Sequence, residues 1–94
     1  MKILKFRRFE KNTLRGFIEI ELPSGMCIRD LTLHEKNGSR WIGYPARKFE
    51  KDDGTTGWTN LIYFPDRMTN EHFQTAVKNA LELYLRDEAD DLPF

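Results

Sequence analysis

Ninety-four residues with 39% hydrophobic and 13% aromatic content make one small folded domain, too apolar for a disordered chain. Fifteen Lys/Arg balance fifteen Asp/Glu, which argues against a strong non-specific duplex binder, whose domain pI usually lies above about 9. No apolar run reaches the roughly 18–20 residues needed to span a bilayer, and a lone Cys27 with two scattered histidines offers neither an internal disulfide nor a metal site.

The balance hides a polarity. Residues 1–48 hold eleven Lys/Arg against five Asp/Glu, a net +6, and residues 49–94 hold four against ten, a net −6. Such asymmetry points to a polyanion-binding face or to complementary self-association. The opening Met1–Phe9 is basic but alternates with apolar residues, so it lacks the unbroken apolar region of a secretory signal. With a single cysteine, the expected compartment is the reducing cytoplasm.

In chain order, Lys2 to Phe9 reads as a first strand, with Leu4 and Phe6 on one face and Lys5 and Arg7 on the other. After the polar break Lys11-Asn12-Thr13, Leu14 to Leu22 alternates as a second strand, Ile18, Ile20 and Leu22 inward and Glu19 and Glu21 outward. Pro23-Ser24-Gly25 is a tight turn. Met26 to Leu33 is a third strand, with Cys27, Leu31 and Leu33 expected on one face and Met26, Ile28, Asp30 and Thr32 on the other. Asp30 within a strand needs a partner if buried, Arg29 and Arg15 being candidates by type. Asn37-Gly38 is a hairpin signal.

The stretch from Arg40 to Phe49 is where the chain concentrates its chemistry. Trp41, Ile42 and Tyr44 favour a strand, and Pro45 ends it because it cannot donate to a sheet ladder. Arg47 and Lys48 follow, interleaved with Tyr44 and Phe49, giving rings for bases and charges for phosphates. The competing reading is a hairpin strand with a solvated basic end. Glu50–Gly57 is expected as a polar loop, and Trp58–Phe64 as a fifth strand with Trp58, Asn60, Ile62 and Phe64 on one face and Leu61 and Tyr63 on the other, a pattern that favours the core for Trp58.

The remainder reads as one helix, capped by Thr69 or Asn70 and carrying an apolar stripe of Phe73, Ala76, Val77, Ala80, Leu81, Tyr84 and Leu85. That stripe should lie on one face of the sheet, which predicts an α+β fold: a single antiparallel sheet of about five strands with one C-terminal helix over residues 1–86. Residues 87–94 form an acidic tail expected to fray.

The block Ile28-Arg29-Asp30-Leu31-Thr32-Leu33, a Gly-containing turn, and Trp41-Ile42-Gly43-Tyr44-Pro45-Ala46-Arg47-Lys48 resembles the SpoVG family, the stage V sporulation protein G or septation-regulator group of bacteria. The resemblance continues through Asp53-Gly54, the Phe64-Pro65 strand end and the closing helix, and covers residues 3–85. It implies a small cytoplasmic dimer that binds DNA or RNA and regulates transcription, septation or sporulation. Carried onto this chain, it points to Arg7, Arg8, Arg15, Arg47 and Lys48 as phosphate contacts. Basic residues around the helix end, frequent in that family, are reduced here to Arg86 ahead of an acidic tail. The two tryptophans also make this chain more aromatic.

For catalysis the residues offer little. His34 reads as a solvated turn residue and His72 as a surface or capping residue, Cys27 as a small hydrophobe, and Asp52-Asp53 as a loop tip without calcium-ligand spacing. The expectation is no enzyme, no cofactor and no small-molecule substrate. The expected nucleic-acid surface comprises Arg7, Arg8, Arg15, Arg40, Trp41, Tyr44, Arg47 and Lys48, with both Trp41 and Trp58 open between core and stacking roles. Against it stand cross-strand pairing of Arg15, Arg40 and Arg47 with Glu19, Glu21 and Asp30, and a pure protein-interaction or dimerisation module. A further alternative is convergence with the Whirly-type single-strand-binding coactivators.

Overall fold

Alternation of apolar and polar residues produces a four-stranded antiparallel meander: β1 (Lys2–Lys11), β2 (Leu14–Glu21), β3 (Cys27–Lys36) and β4 (Ser39–Gly43), hydrogen-bonded in that order. A computed structural model describes residues 1–90 of the chain, with side chains through Asp87. Asn12, at φ 55°, turns the chain between β1 and β2. The β3–β4 turn is the expected Asn37-Gly38 pair, both at positive φ, between the paired Lys36 and Ser39.

One face of the meander is apolar. Ile18 stands opposite Leu31, Ile3 opposite Ile20, and Leu33 opposite Ile42, and all six are buried. The third strand does not keep simple alternation, however. Arg29 and Asp30 together oppose the single Glu19, with Asp30 at φ 63°, a conformation that aspartate tolerates better than most residues. This bulge shifts the side-chain register by one. Ile28 therefore packs with Leu31 and Leu33, correcting its expected place beside Thr32, while Asp30 is exposed and needs no buried partner.

The helix α1 (Arg67–Asp90) covers that apolar face. Val77 and Leu81 are buried, and Phe73, Ala80, Tyr84 and Leu85 pack around them, whereas Ala76 is exposed. Burying a side chain such as Ile18, Leu31 or Val77 contributes about 1.5–3 kcal/mol each. Its cap is Asp66 rather than Thr69 or Asn70: the carboxylate accepts hydrogen bonds from the Thr69 N–H at 2.8 Å and the Thr69 hydroxyl at 2.6 Å. The helix also continues through Asp90, past the expected start of the tail at 87; residues 91–94 lie outside the described residues.

The expected fifth strand of this sheet is absent from it. Residues 46–60 instead form a separate hairpin of β5 (Ala46–Glu50) and β6 (Thr56–Asn60), closed by a turn in which Asp53 accepts from the Thr55 N–H and hydroxyl. Pro45 ends β4 as expected, and the hairpin springs from it, its base tied by a Leu61 N–H to Pro45 carbonyl bond. Neither strand approaches the meander or the helix. The molecule is accordingly long, 57 × 31 × 23 Å, and its radius of gyration of 15.2 Å exceeds the roughly 12 Å of a compact chain this size. The architecture is α+β, with a four-stranded sheet and a projecting two-stranded arm.

Candidate nucleic-acid interface

The helix occupies one face of the meander and leaves the other open. Directly paired residues share a face, so the register places Lys2 beside Glu21, Lys5 beside Glu19, Arg7 beside Phe17 and His34 beside Trp41 on the open side. The Arg7 guanidinium lies over the Phe17 ring, 4.9 Å from its centroid, in cation–π range. Phe9 flanks the same ring at 5.9 Å. Arg29 holds Glu19 at 3.4 Å, leaving Lys5 and Arg7 without carboxylate partners among the described residues. Both line a shallow hollow with Phe17, Glu19, Arg29 and Asp30.

A second platform lies toward β4. The Trp41 and His34 rings stack nearly parallel, 7° apart in plane and 5.4 Å between centroids. His34 is fixed from both sides, its Nδ1 hydrogen-bonded to the Thr13 hydroxyl and its Nε2 to the Thr32 hydroxyl, each at 2.9 Å. Burial among these neighbours lowers its pKa below the ordinary 6.5. Gly43 makes room for this arrangement, because a Cβ there would collide with the Thr32 hydroxyl and crowd the His34 ring. His34 is thus a structured support for Trp41, which corrects its expected role as a solvated turn residue.

The remaining expected contacts are dispersed. Arg8 belongs to the helix side of β1, beside Phe6 and opposite Gly16. Arg15 donates to the Asn12 and Leu14 carbonyls and lies 4.0 Å from Glu35; Arg40 lies 3.7 Å from the same carboxylate. Their partner is therefore Glu35, not Glu19, Glu21 or Asp30. Tyr44 is half-buried between Phe64 and Phe73, its hydroxyl donating to Asn70, so it braces the core. Arg47 and Lys48 are exposed on the arm, opposite Thr59 and Trp58. Only Arg7 and Trp41 of the eight share the open sheet face.

Residue reasoning missed Phe9, Phe17 and His34 as members of this face, although the alternation of Lys5, Arg7 and Phe9 signals it. It also favoured the core over a stacking role for Trp58, which is 66% exposed, and placed Cys27 on the face of Leu31 and Leu33, whereas it is exposed. The arm also exposes Phe49, and just past its base Leu61 and Tyr63 are exposed. Among the described residues no group of three or more His, Cys, Asp or Glu converges to hold a metal ion, and no helix is long and apolar enough to cross a membrane. No protein-family model matches this chain, and neither a curated protein nor a solved structure is detectably similar to it.

Proposed function

We propose that this chain is a non-enzymatic nucleic-acid-binding regulator of the SpoVG kind, working in the cytoplasm as a homodimer and contacting phosphates through its basic β-surface. The observation that carries the reading is the uncovered face of the meander, where neither Lys5 nor Arg7 makes an ion pair among the described residues and Arg7 lies over the Phe17 ring. Arg47 and Lys48, projecting on the arm, add a second set of cations at a distance from the first. The resemblance in sequence supports the same reading, and transcription, septation or sporulation is the process it implies. A gel shift of purified protein on single- and double-stranded DNA and RNA at two salt concentrations tests it. Retardation that weakens steeply with salt is the expected result; no retardation of any oligonucleotide removes the reading.

A second reading, a protein-interaction module, draws on a different observation: the arm touches neither sheet nor helix and exposes Phe49 and Trp58. Exposed apolar groups on a projecting hairpin are what a second copy would cover. Sedimentation over a concentration range tests the dimer, with Phe49→Ser and Trp58→Ser together expected to shift it to monomer.

A further inference from the structure

We infer that the open sheet face takes unpaired bases, so that its ligand is a single-stranded nucleic acid seated on two aromatic platforms, Phe9 with Phe17 and Trp41 backed by His34. This rests on the nucleic-acid reading above and specifies the ligand class of that site.

The geometry points this way for three reasons. First, both platforms present rings to solvent on the open face, one from each edge strand: Phe9 on β1 is 46% exposed and Trp41 on β4 39%. An aromatic pair whose purpose was packing would turn toward the helix side, where Phe6 and Tyr44 do pack. Second, each platform is held in place. Phe17 lies beneath the Arg7 guanidinium and against Phe9, and Trp41 lies flat on an imidazole that two threonine hydroxyls fix. A fixed ring accepts a base with little further loss of side-chain freedom. Third, the register sets their separation. Phe17 pairs with Thr32, and Trp41 with His34 two residues along, on a strand two removed from β2. At sheet spacings of about 4.8 Å between strands and 3.3 Å per residue, the platforms lie roughly 12 Å apart. Each therefore takes its own base. Lys5 and Arg7 lie on β1, on the side of Phe17 away from Trp41, and supply at that end the charge that a phosphate backbone requires.

A duplex cannot use this face in the same way, because its bases are stacked on one another and offer only edges and phosphates. Base–ring stacking is tolerant of sequence, since every base has a π-face, so selectivity should be for strandedness.

Two tryptophans make the test direct. Trp58→Phe leaves Trp41 as the sole indole, and Trp41→Phe leaves Trp58. Each variant is titrated with a mixed-sequence single-stranded 12-mer and with its duplex, following both indole emission and the anisotropy of a dye on the oligonucleotide. The expected result is quenching of Trp41 by the single strand and not by the duplex, with Trp58 emission unchanged in the Trp41→Phe protein. Phe9→Ala and Trp41→Ala should each weaken single-strand binding about 5- to 150-fold, the range that loss of one stacked base produces, and leave duplex binding unaltered. Circular dichroism at 222 nm confirms that both exposed-site variants fold. Single-strand binding by anisotropy without Trp41 quenching, or equal loss of duplex binding in Phe9→Ala, overturns the inference while leaving nucleic-acid binding intact. Failure of both oligonucleotides to bind overturns the nucleic-acid reading itself.

Discussion

At the outer edge of the meander, Gln74 takes the part of a missing strand. Its side-chain amide accepts from the Ile42 N–H at 2.7 Å and donates to the Ile42 carbonyl at 2.8 Å, so the helix both covers the sheet and satisfies the backbone of β4. Gln74→Ala should cost about 1–3 kcal/mol, the penalty for leaving half-buried polar groups unpaired, read as a lower urea midpoint with unchanged slope. His34 makes a pH-dependent contribution. Because burial lowers its folded pKa below 6.5, the neutral ring is favoured by folding. That stability is complete above the unfolded value and is lost as pH falls from about 6.5 toward the lower folded value. The thermal midpoint should therefore drop between pH 7.5 and 5.5, and drop less in His34→Gln. Neither role is legible in the sequence: a glutamine inside an apolar stripe and a histidine near a turn read as surface residues until strand pairing brings Ile42 and Trp41 beside them.

Among the elements, the helix illustrates how a local signal is misplaced by a few residues. Thr69 looks like a cap, but its N–H and hydroxyl are the donors and the Asp66 carboxylate is the acceptor. Those hydrogen bonds, the hydroxyl's first, lower the Asp66 pKa from its ordinary 3.8. The stability it lends is present above the unfolded pKa and is lost as pH falls through the folded one. Asp66→Ala should reduce helical ellipticity and the thermal midpoint at pH 7, with the difference from wild type shrinking below pH 3.

The β5–β6 hairpin was less legible. Arg47 and Lys48 read as the solvated end of a strand that Pro45 closes, yet they belong to β5, and Trp58 reads as the start of a fifth strand without the pattern saying in which sheet. Pairing partners are fixed by the turn at Asp53–Thr55 and the tie at Pro45, both local, so the hairpin closes on itself. Lacking contacts to the rest, it should open independently. Amide exchange in β5 and β6 is expected to be faster than in the central strands β2 and β3, and equal protection would show that the arm is docked.

For the molecule as a whole, the opposed charges of the two halves translate into a division of surfaces. The helix takes the apolar face, and the basic first strands meet solvent on the other. The α+β class, the first four strands and all of the helix's apolar stripe but Ala76 were readable from alternation and 3.6-residue periodicity alone. The gathering of the site was not, because one bulge in β3 and one in β2 redirect Ile28 and Arg15, and because Glu35 engages two of the arginines expected to be free. What remains is a narrower surface than residue types implied, built on Lys5, Arg7, Phe9, Phe17 and Trp41.

The salt dependence of single-strand binding tests that surface most directly. Affinity measured from 50 to 400 mM salt should fall linearly on logarithmic axes for the wild type. Lys5→Ala with Arg7→Ala should flatten the slope by about 1.4, two phosphate contacts at roughly 0.7 each. An unchanged slope in that double variant would contradict the assignment of the open face as the ligand surface.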